Sequence, residues 1–285
     1  MTLKRRKFLK TAGAVIGVGA VATSLPIQLL GRSGKAPTSF GFQTWTVRDA
    51  LGENMPETLK KMADLGYKET EFCSPLGYKG TPFEKFNELS GKELRQIIEA
   101  SGLTCKSSHF TMDELRDHLD NRIEWSKQMG ITQMIASSFW WGKDATMQDW
   151  RNACHELNEI GLKTKTAGIQ TGFHNHHMEF EKIDGELIYD VLMEELDPVL
   201  VKMQFQVAVA NIGYKAADYF REYPGRFISA HLSDWLSQEQ EVALGQGMVD
   251  WPDFFDAATI GGVKNYFVEM APSTFSESAA YLKGL

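Results

Sequence analysis

The chain predicts a single (β/α)8 TIM barrel behind a short export segment, and three observations carry that prediction. First, about 250 of its 285 residues remain once the N-terminal segment is set aside, the usual size of an α/β barrel. Second, strand-like and helix-like segments alternate eight times, which gives a parallel sheet closed on itself. Third, one phrase recurs at helix ends: Leu65-Gly66-Tyr67, Ser101-Gly102-Leu103, Met129-Gly130-Ile131 and Ala167-Gly168-Ile169. Glycine there accepts the left-handed turn that ends a helix before the next strand. The competing architecture, an open doubly wound sheet, would carry Gly-x-Gly-x-x-Gly after its first strand, and none is present.

Residues 1–37 read as a leader and linker, and 38–285 as the barrel. Lys4-Arg5-Arg6-Lys7-Phe8-Leu9-Lys10 is a basic block with paired arginines, and Thr11 to Leu30 follows without a charge. With the small-x-small site Ala20-Val21-Ala22, this resembles a twin-arginine signal peptide, which implies an exported, periplasmic protein. An uncleaved anchor is the other reading of an uncharged run this long, but Gly, Ala and Pro26 weaken it. Removal of residues 1–22 takes five basic groups from the net charge of −7 and leaves 25 basic against 37 acidic residues, −12. Such a chain lacks the basic footprint that nucleic acid or anionic lipid requires, so neither is an expected partner. Self-association into a homo-oligomer is left open. The three cysteines, Cys73, Cys105 and Cys154, are too few for a disulfide framework. Cys73 and Cys105 could meet if their strands are neighbours, but packing is the expected role.

Taken in order, Phe40 to Trp45 is the first strand, and Pro56 to Leu65 a helix stopped at Gly66. Lys68 to Cys73 is the second strand. Ser90-Gly91-Lys92-Glu93 is a capping box that opens a helix ending at Gly102. Thr104 to His109 is the third strand, and Thr111-Met112-Asp113-Glu114 a second capping box whose helix runs to Met129. Gln133 to Ser137 is strand four, followed by a long helix, Thr146 to Thr166, interrupted or weakened at Gly161. Gly168 to Phe173 is strand five. A helix over Glu186 to Leu196, a strand over Val201 to Val207, and a helix over Ala216 to Tyr223, stopped by Pro224, follow. Phe227 to Leu232 is strand seven, Pro252 to Thr259 a helix, Asn265 to Met270 strand eight, and Ser276 to Leu285 the last helix.

Chemistry in such barrels lies at the C-terminal ends of the strands. Those ends offer Glu71, His109, His174 and His176, Gln204 and Gln206, His231 and Asp234, and Glu269. Three of the seven histidines fall in Phe173-His174-Asn175-His176-His177. Side chains alternate with period two along a strand, so His174 and His176 share a face, suited to a divalent metal or a proton relay. Taken singly, each of these residues is as readily a solvated or hydrogen-bonded structural group; their convergence on one rim marks an active site. Trp140, Trp141 and Trp235 are packing residues or, above a barrel mouth, surfaces on which a sugar stacks.

Phe173-His174-Asn175-His176 with Glu179-Phe180, then Pro224-Gly225-Arg226-Phe227, Ala230-His231-Leu232-Ser233-Asp234, Gly245 to Trp251 and Phe267-Val268-Glu269 together resemble the xylose isomerase-like barrel family, the sugar phosphate isomerase/epimerase group. The resemblance covers about residues 38–285. It implies a divalent metal held by residues from strands five to eight, here His174 (or His176), Gln206, His231 and Glu269. The candidates for proton transfer are Glu71, His109 and whichever of His174 and His176 is not on the metal, His176 if His174 ligates; similar epimerases imply Glu269 as a base while ligating. Gln206 stands where relatives usually carry aspartate, which removes one negative charge and turns the site toward Zn or Co, or Mn, rather than Mg.

The implied activity is metal-assisted proton abstraction next to a carbonyl, leading to isomerisation, epimerisation or β-elimination. Export and the lack of a glycine-rich phosphate loop point to an unphosphorylated sugar or keto-glycoside, with lyase or hydratase chemistry on a 3-keto-glycoside as the refinement. The alternative is a non-catalytic sugar-binding barrel that has lost its metal. The related endonuclease fold is disfavoured by the acidic balance.

Overall fold

Each glycine-terminated helix returns the chain to one end of a closed, all-parallel eight-stranded barrel. The computed structural model describes residues 37–139 and 144–285. The strands are β1 (Gly41–Gln43), β2 (Glu69–Cys73), β3 (Thr104–Phe110), β4 (Gln133–Ala136), β5 (Gln170–His174), β6 (Val201–Gln206), β7 (Phe227–Leu232) and β8 (Asn265–Val268). Around them lie α1 (Arg48–Leu65), α2 (Gly91–Ala100), α3 (Met112–Met129), α4 (Met147–Thr166), α5 (Ile188–Glu195), α6 (Ala216–Glu222), α7 (Trp251–Gly261) and α8 (Phe275–Gly284). Gly66, Gly102, Gly130 and Gly168 all take positive φ, from 81° to 107°, the left-handed turn for which glycine was expected. Residues 1–36, where the leader is expected, and the Trp140-Trp141 pair lie outside the described residues. Among the described residues no helix is long and apolar enough to cross a membrane.

Several elements depart from the sequence expectations. The first helix begins at Arg48, eight residues before Pro56, and is kinked at Asn54 (φ −152°, ψ 89°). Asn54 caps the second half through Glu57 N–H at 3.2 Å, so Pro56 lies in a first turn that needs no donor from it. α4 runs unbroken through Gly161. A Cβ on Gly161 would come within 3.0 Å of the Leu200 carbonyl oxygen, so this glycine permits a close approach rather than a break. The Ser90–Glu93 capping box forms in both directions. At α3 only half of one forms: Thr111 Oγ1 accepts from Glu114 N–H, while the Glu114 carboxyl turns inward to Ser74 and Arg122. α5 starts at Ile188, because Glu186–Leu187 pairs with Lys182–Ile183 in a small hairpin. β2 and β3 are neighbours, yet Cys73 and Cys105, like Cys154, are free and buried.

The helix layer packs on the outside of the sheet through residues such as Phe72, Phe110, Phe205 and Phe227, all buried. Inside the barrel polar side chains are stacked in tiers, with the apolar Ile135 and Phe267 among them. At the lower end Gln133 Nε2 donates to Asn265, and Asn265 Nδ2 donates to Glu69, at 2.7 and 3.0 Å. One tier up, Glu71 is the hub: Gln43 Nε2, Ser107 Oγ and Gln204 Nε2 donate to its two oxygens at 2.9, 2.5 and 2.8 Å. The period of two then brings His109, His174, Gln206 and His231 to the C-terminal end, with Glu269 just past β8. The register pairs Cys73 with His109, His174 with Gln204 and Gln206 with His231.

Candidate active site

A cavity of about 320 Å³ opens at the C-terminal end of the barrel. It is lined by Glu269, His109, His174 and His176, with Cys73, Ser137 and the aromatic side chains of Trp45 and Tyr78. Sequence reasoning thus brings four of its seven site residues to the wall. The other three, Glu71, Gln206 and His231, stand directly behind that wall.

His231 is enclosed between two carboxylates. Its Nε2 donates to Glu71 Oε2 at 2.5 Å and its Nδ1 to Glu269 Oε2 at 2.9 Å. Burial alone would lower its pKa, but Glu269 and Glu71 outweigh that and raise it to about 9, so at neutral pH it is an imidazolium. Burial likewise opposes ionisation of Glu71, yet His109 and His231 hold its carboxyl well below the ordinary range. Glu71 is therefore a fully buried anion, held by hydrogen bonds, that orients the histidines from behind the cavity wall.

His109 Nε2 donates to Gln204 Oε1 at 2.6 Å and lies 3.1 Å from Glu71 Oε2. Gln204 Nε2 in turn donates to Glu71 and to Ser229 Oγ. His174 and His176 lie edge to face, ring centres 4.8 Å apart, as their shared strand face predicts. Burial lowers the pKa of both, well below the usual value for His174 and to about 4 for His176, so both are neutral near pH 7. The loop that carries them is fixed by Asn175, whose Oδ1 accepts from Gln206 N–H at 3.1 Å. It is fixed also by Glu179, which accepts from His176 N–H at 2.6 Å. His177 turns away to Asn211 at an exposed position.

Glu269 is the carboxylate that meets the cavity. Its Oε2 accepts from His231 and from Gln206 Nε2, the latter at 2.6 Å, while Oε1 carries no hydrogen bond among the described residues. Burial works against its charge, but His231 lowers its pKa. Gln206 presents its amide nitrogen to Glu269 because its carbonyl oxygen accepts from Ala208 N–H at 3.2 Å. The expected oxygen ligand is thus turned away from the site, and Gln206 instead steadies the carboxylate.

Asp234 has a structural role. It accepts from the N–H groups of Trp235, Gly245, Gly247 and Val249 and from Trp251 Nε1, at 2.9–3.2 Å, and so pins the long loop after β7. Trp235 does not line the cavity. Trp45, two residues past β1, takes the aromatic place above the cavity, with Tyr78 at 5.8 Å and the Arg48 guanidinium 4.3 Å from its ring centre. Neither Trp45 nor Tyr78 was singled out from the sequence, although the position of Trp45 just beyond a strand end was a usable sign.

One nitrogen from each of His109, His174 and His231 lies within 4.8 Å of the others, all three residues buried. Imidazole nitrogens suit a borderline divalent metal, but His231 would have to give up one of its two carboxylate hydrogen bonds to hold one. Nδ1 of His174 is moreover buried without a hydrogen-bond partner, an unusual state for a polar atom and one a bound cation would relieve.

A closed parallel barrel of eight strands, with a histidine- and carboxylate-lined cavity at its C-terminal end, defines a TIM-barrel protein. The chain belongs to the xylose isomerase-like TIM barrel family, which it matches over residues 59–284. No curated protein matched. Among solved structures it is similar to two sugar phosphate isomerase/epimerases from Parabacteroides distasonis. One is 23% identical with a TM-score of 0.72, covering 87% of this chain and 94% of that one. The other is 22% identical with a TM-score of 0.70, covering 87% and 98%. A xylose isomerase-like TIM barrel protein from Mycobacterium smegmatis in complex with magnesium is 13% identical, TM-score 0.62, covering 88% and 96%. At these identities the likeness is one of fold.

Proposed function

We propose that this barrel is an exported enzyme that removes a proton next to the carbonyl of an unphosphorylated sugar or keto-glycoside. The supporting observation is Glu269, a cavity-lining residue: one oxygen is gripped by an imidazolium and an amide, and the other carries no hydrogen bond among the described residues. A carboxylate held in this way is ionised and oriented, as a general base must be. The neutral imidazoles of His174 and His176, together with His109, line the same cavity and carry protons to and from the substrate oxygens or the far carbon. Tyr78 remains a neutral phenol, because burial pushes its pKa well up, and donates a hydrogen bond. Trp45 offers an aromatic face to the sugar ring. A divalent metal, when bound, supplies Lewis-acid polarisation of the carbonyl.

No lysine or arginine lines the cavity among its described residues, which favours a substrate without phosphate. The similar sugar phosphate isomerase/epimerases support a sugar, and the twin-arginine-like leader supports export. Loss of the proton followed by return to the other face gives an epimer. Loss of a leaving group from the next carbon gives the lyase outcome on a 3-keto-glycoside.

The test compares wild type with Glu269→Gln on a panel of free keto-sugars and 3-keto-glycosides. The variant should keep sugar affinity by calorimetry while conversion falls ~10²–10⁴-fold, the usual contribution of a general base. Equal conversion by both proteins would remove Glu269 from the chemistry. Binding without conversion in wild type would leave a sugar-binding barrel.

A further inference from the structure

We propose that a second sugar-binding site lies beside the barrel mouth, in a cavity between the loop after β2 and the first turns of α3, and that it takes a neutral hydroxylated ring.

The cavity holds about 520 Å³, within the ~300–1,000 Å³ of small-molecule sites. It borders the same strand ends as the mouth. The loop after β2 gives Tyr78 to the mouth and Gly77 and Lys79 to this cavity. The end of β3 gives His109 to one and Thr111 to the other, and the chain after β4 divides Ser137 and Phe139 in the same way. None of the groups proposed for proton transfer lines it.

Glu114 marks it as a site. This residue lines the cavity and is 3% exposed. Its Oε1 accepts from Ser74 Oγ and Arg122 Nη1, but its Oε2 is buried with no hydrogen-bond partner among the described residues. A buried carboxyl oxygen is rarely left in that state. Gly77 lies against it: a Cβ there would clash with Oε2 and stand 2.9 Å from Thr111 Oγ1, so only a residue without a side chain fits beside the carboxyl.

The chemistry of the wall selects the ligand. Burial pushes the Glu114 pKa up to about 7, so near neutral pH the carboxyl is present in both forms. A hydroxyl serves both, donating to the carboxylate or accepting from the acid. The charges beside it are already committed or opposed. Arg116 donates to Asp113 at 2.7 Å and forks onto Glu156 at 2.7 and 2.8 Å, while Lys79 and Asp117, both exposed, carry opposite signs. Neither an anion nor a cation finds a set of free opposite charges there. A neutral ring with hydroxyl groups fits, with Leu76, Met112 and Phe139 as the apolar surface for its C–H face.

The experiment follows backbone amides by NMR while D-glucose or its methyl glycoside is titrated into the full chain, with inorganic phosphate and Mg²⁺ as comparison probes. Either sugar should shift the amides of Gly77, Asp113 and Glu114 in a saturable way, and the shifts should persist in Glu269→Gln, whose change lies in the mouth. Glu114→Gln should raise the dissociation constant read from those amides about tenfold or more, the cost of losing a hydrogen bond to a charged group. Leu76→Trp, at a half-buried wall position with no part in the Glu114 hydrogen bonds, fills the cavity and should abolish the shifts. Circular dichroism checks the fold of each variant, and Leu76→Trp decides if Glu114→Gln does not fold. No saturable shift with either sugar would overturn the proposal. So would shifts unchanged in both cavity variants, or tighter binding of phosphate or Mg²⁺ at the same amides. The readout is binding outside the mouth, so a protein that converts sugar but shows no such shifts overturns this site alone.

Discussion

Glu179 holds the histidine loop at a cost that depends on pH. Its Oε2 accepts from His176 N–H, while its Oε1 is buried with no partner. Burial pushes its pKa from 4.5 up to about 7. Folding thus favours the protonated form, and the folded chain binds more protons than the unfolded one between those values. The sign follows: stability falls as pH rises from about 4.5 to about 7 and is flat above. The size of the loss is about 3 kcal/mol, at 1.36 kcal/mol per pKa unit. Glu179→Gln keeps an oxygen for His176 N–H and removes the titration. Urea unfolding of both proteins from pH 4.5 to 8 isolates the effect, because every other group, including the similarly raised Glu114, is present in both. The variant should gain about 3 kcal/mol relative to wild type across that range. Parallel curves would refute the buried-carboxyl reading of Glu179.

Other expectations concern the frame around the site. Asp234→Ala leaves four backbone N–H groups and the Trp251 indole without their acceptor. It should lower stability by about 3 kcal/mol or more and expose the loop after β7 to limited proteolysis; unchanged cleavage would contradict the clamp. Gly161→Ala should destabilise by about 1–3 kcal/mol through overpacking against Leu200, although alanine is the better helix former. A gain in thermal stability would show that α4 has room to spare there.

The barrel was legible because its signals are local and repeated. Glycine at helix ends and the alternation of strands and helices each act within a few residues, and the strand-end rule then named Glu71, His109, His174, His176, Gln206, His231 and Glu269 as one group. Roles were less legible, because they depend on partners far apart in sequence. Glu71 meets His231 across 160 residues and Gln204 across 133, and only that enclosure shows how it is held. Gln206 looked like a weak oxygen ligand until Ala208 N–H, two residues on, proved to hold its carbonyl. Gly161 and the Glu114 box misled for the same reason: a helix signal was overridden by a tertiary contact, with Leu200 in one case and with Ser74 and Arg122 in the other. The first turns of α1 lacked a side-chain cap at Val47, so nothing local announced them.

The most direct measurement is hydrogen exchange at carbon. Wild-type protein is incubated with unphosphorylated keto-sugars and 3-keto-glycosides in D₂O, and the carbon next to the carbonyl is followed by NMR. Proton abstraction by Glu269 predicts deuterium at that carbon in at least one of them, faster than in buffer and lost in Glu269→Gln. Exchange no faster than buffer across the panel, with sugar demonstrably bound, would contradict an enzyme that works by removing that proton.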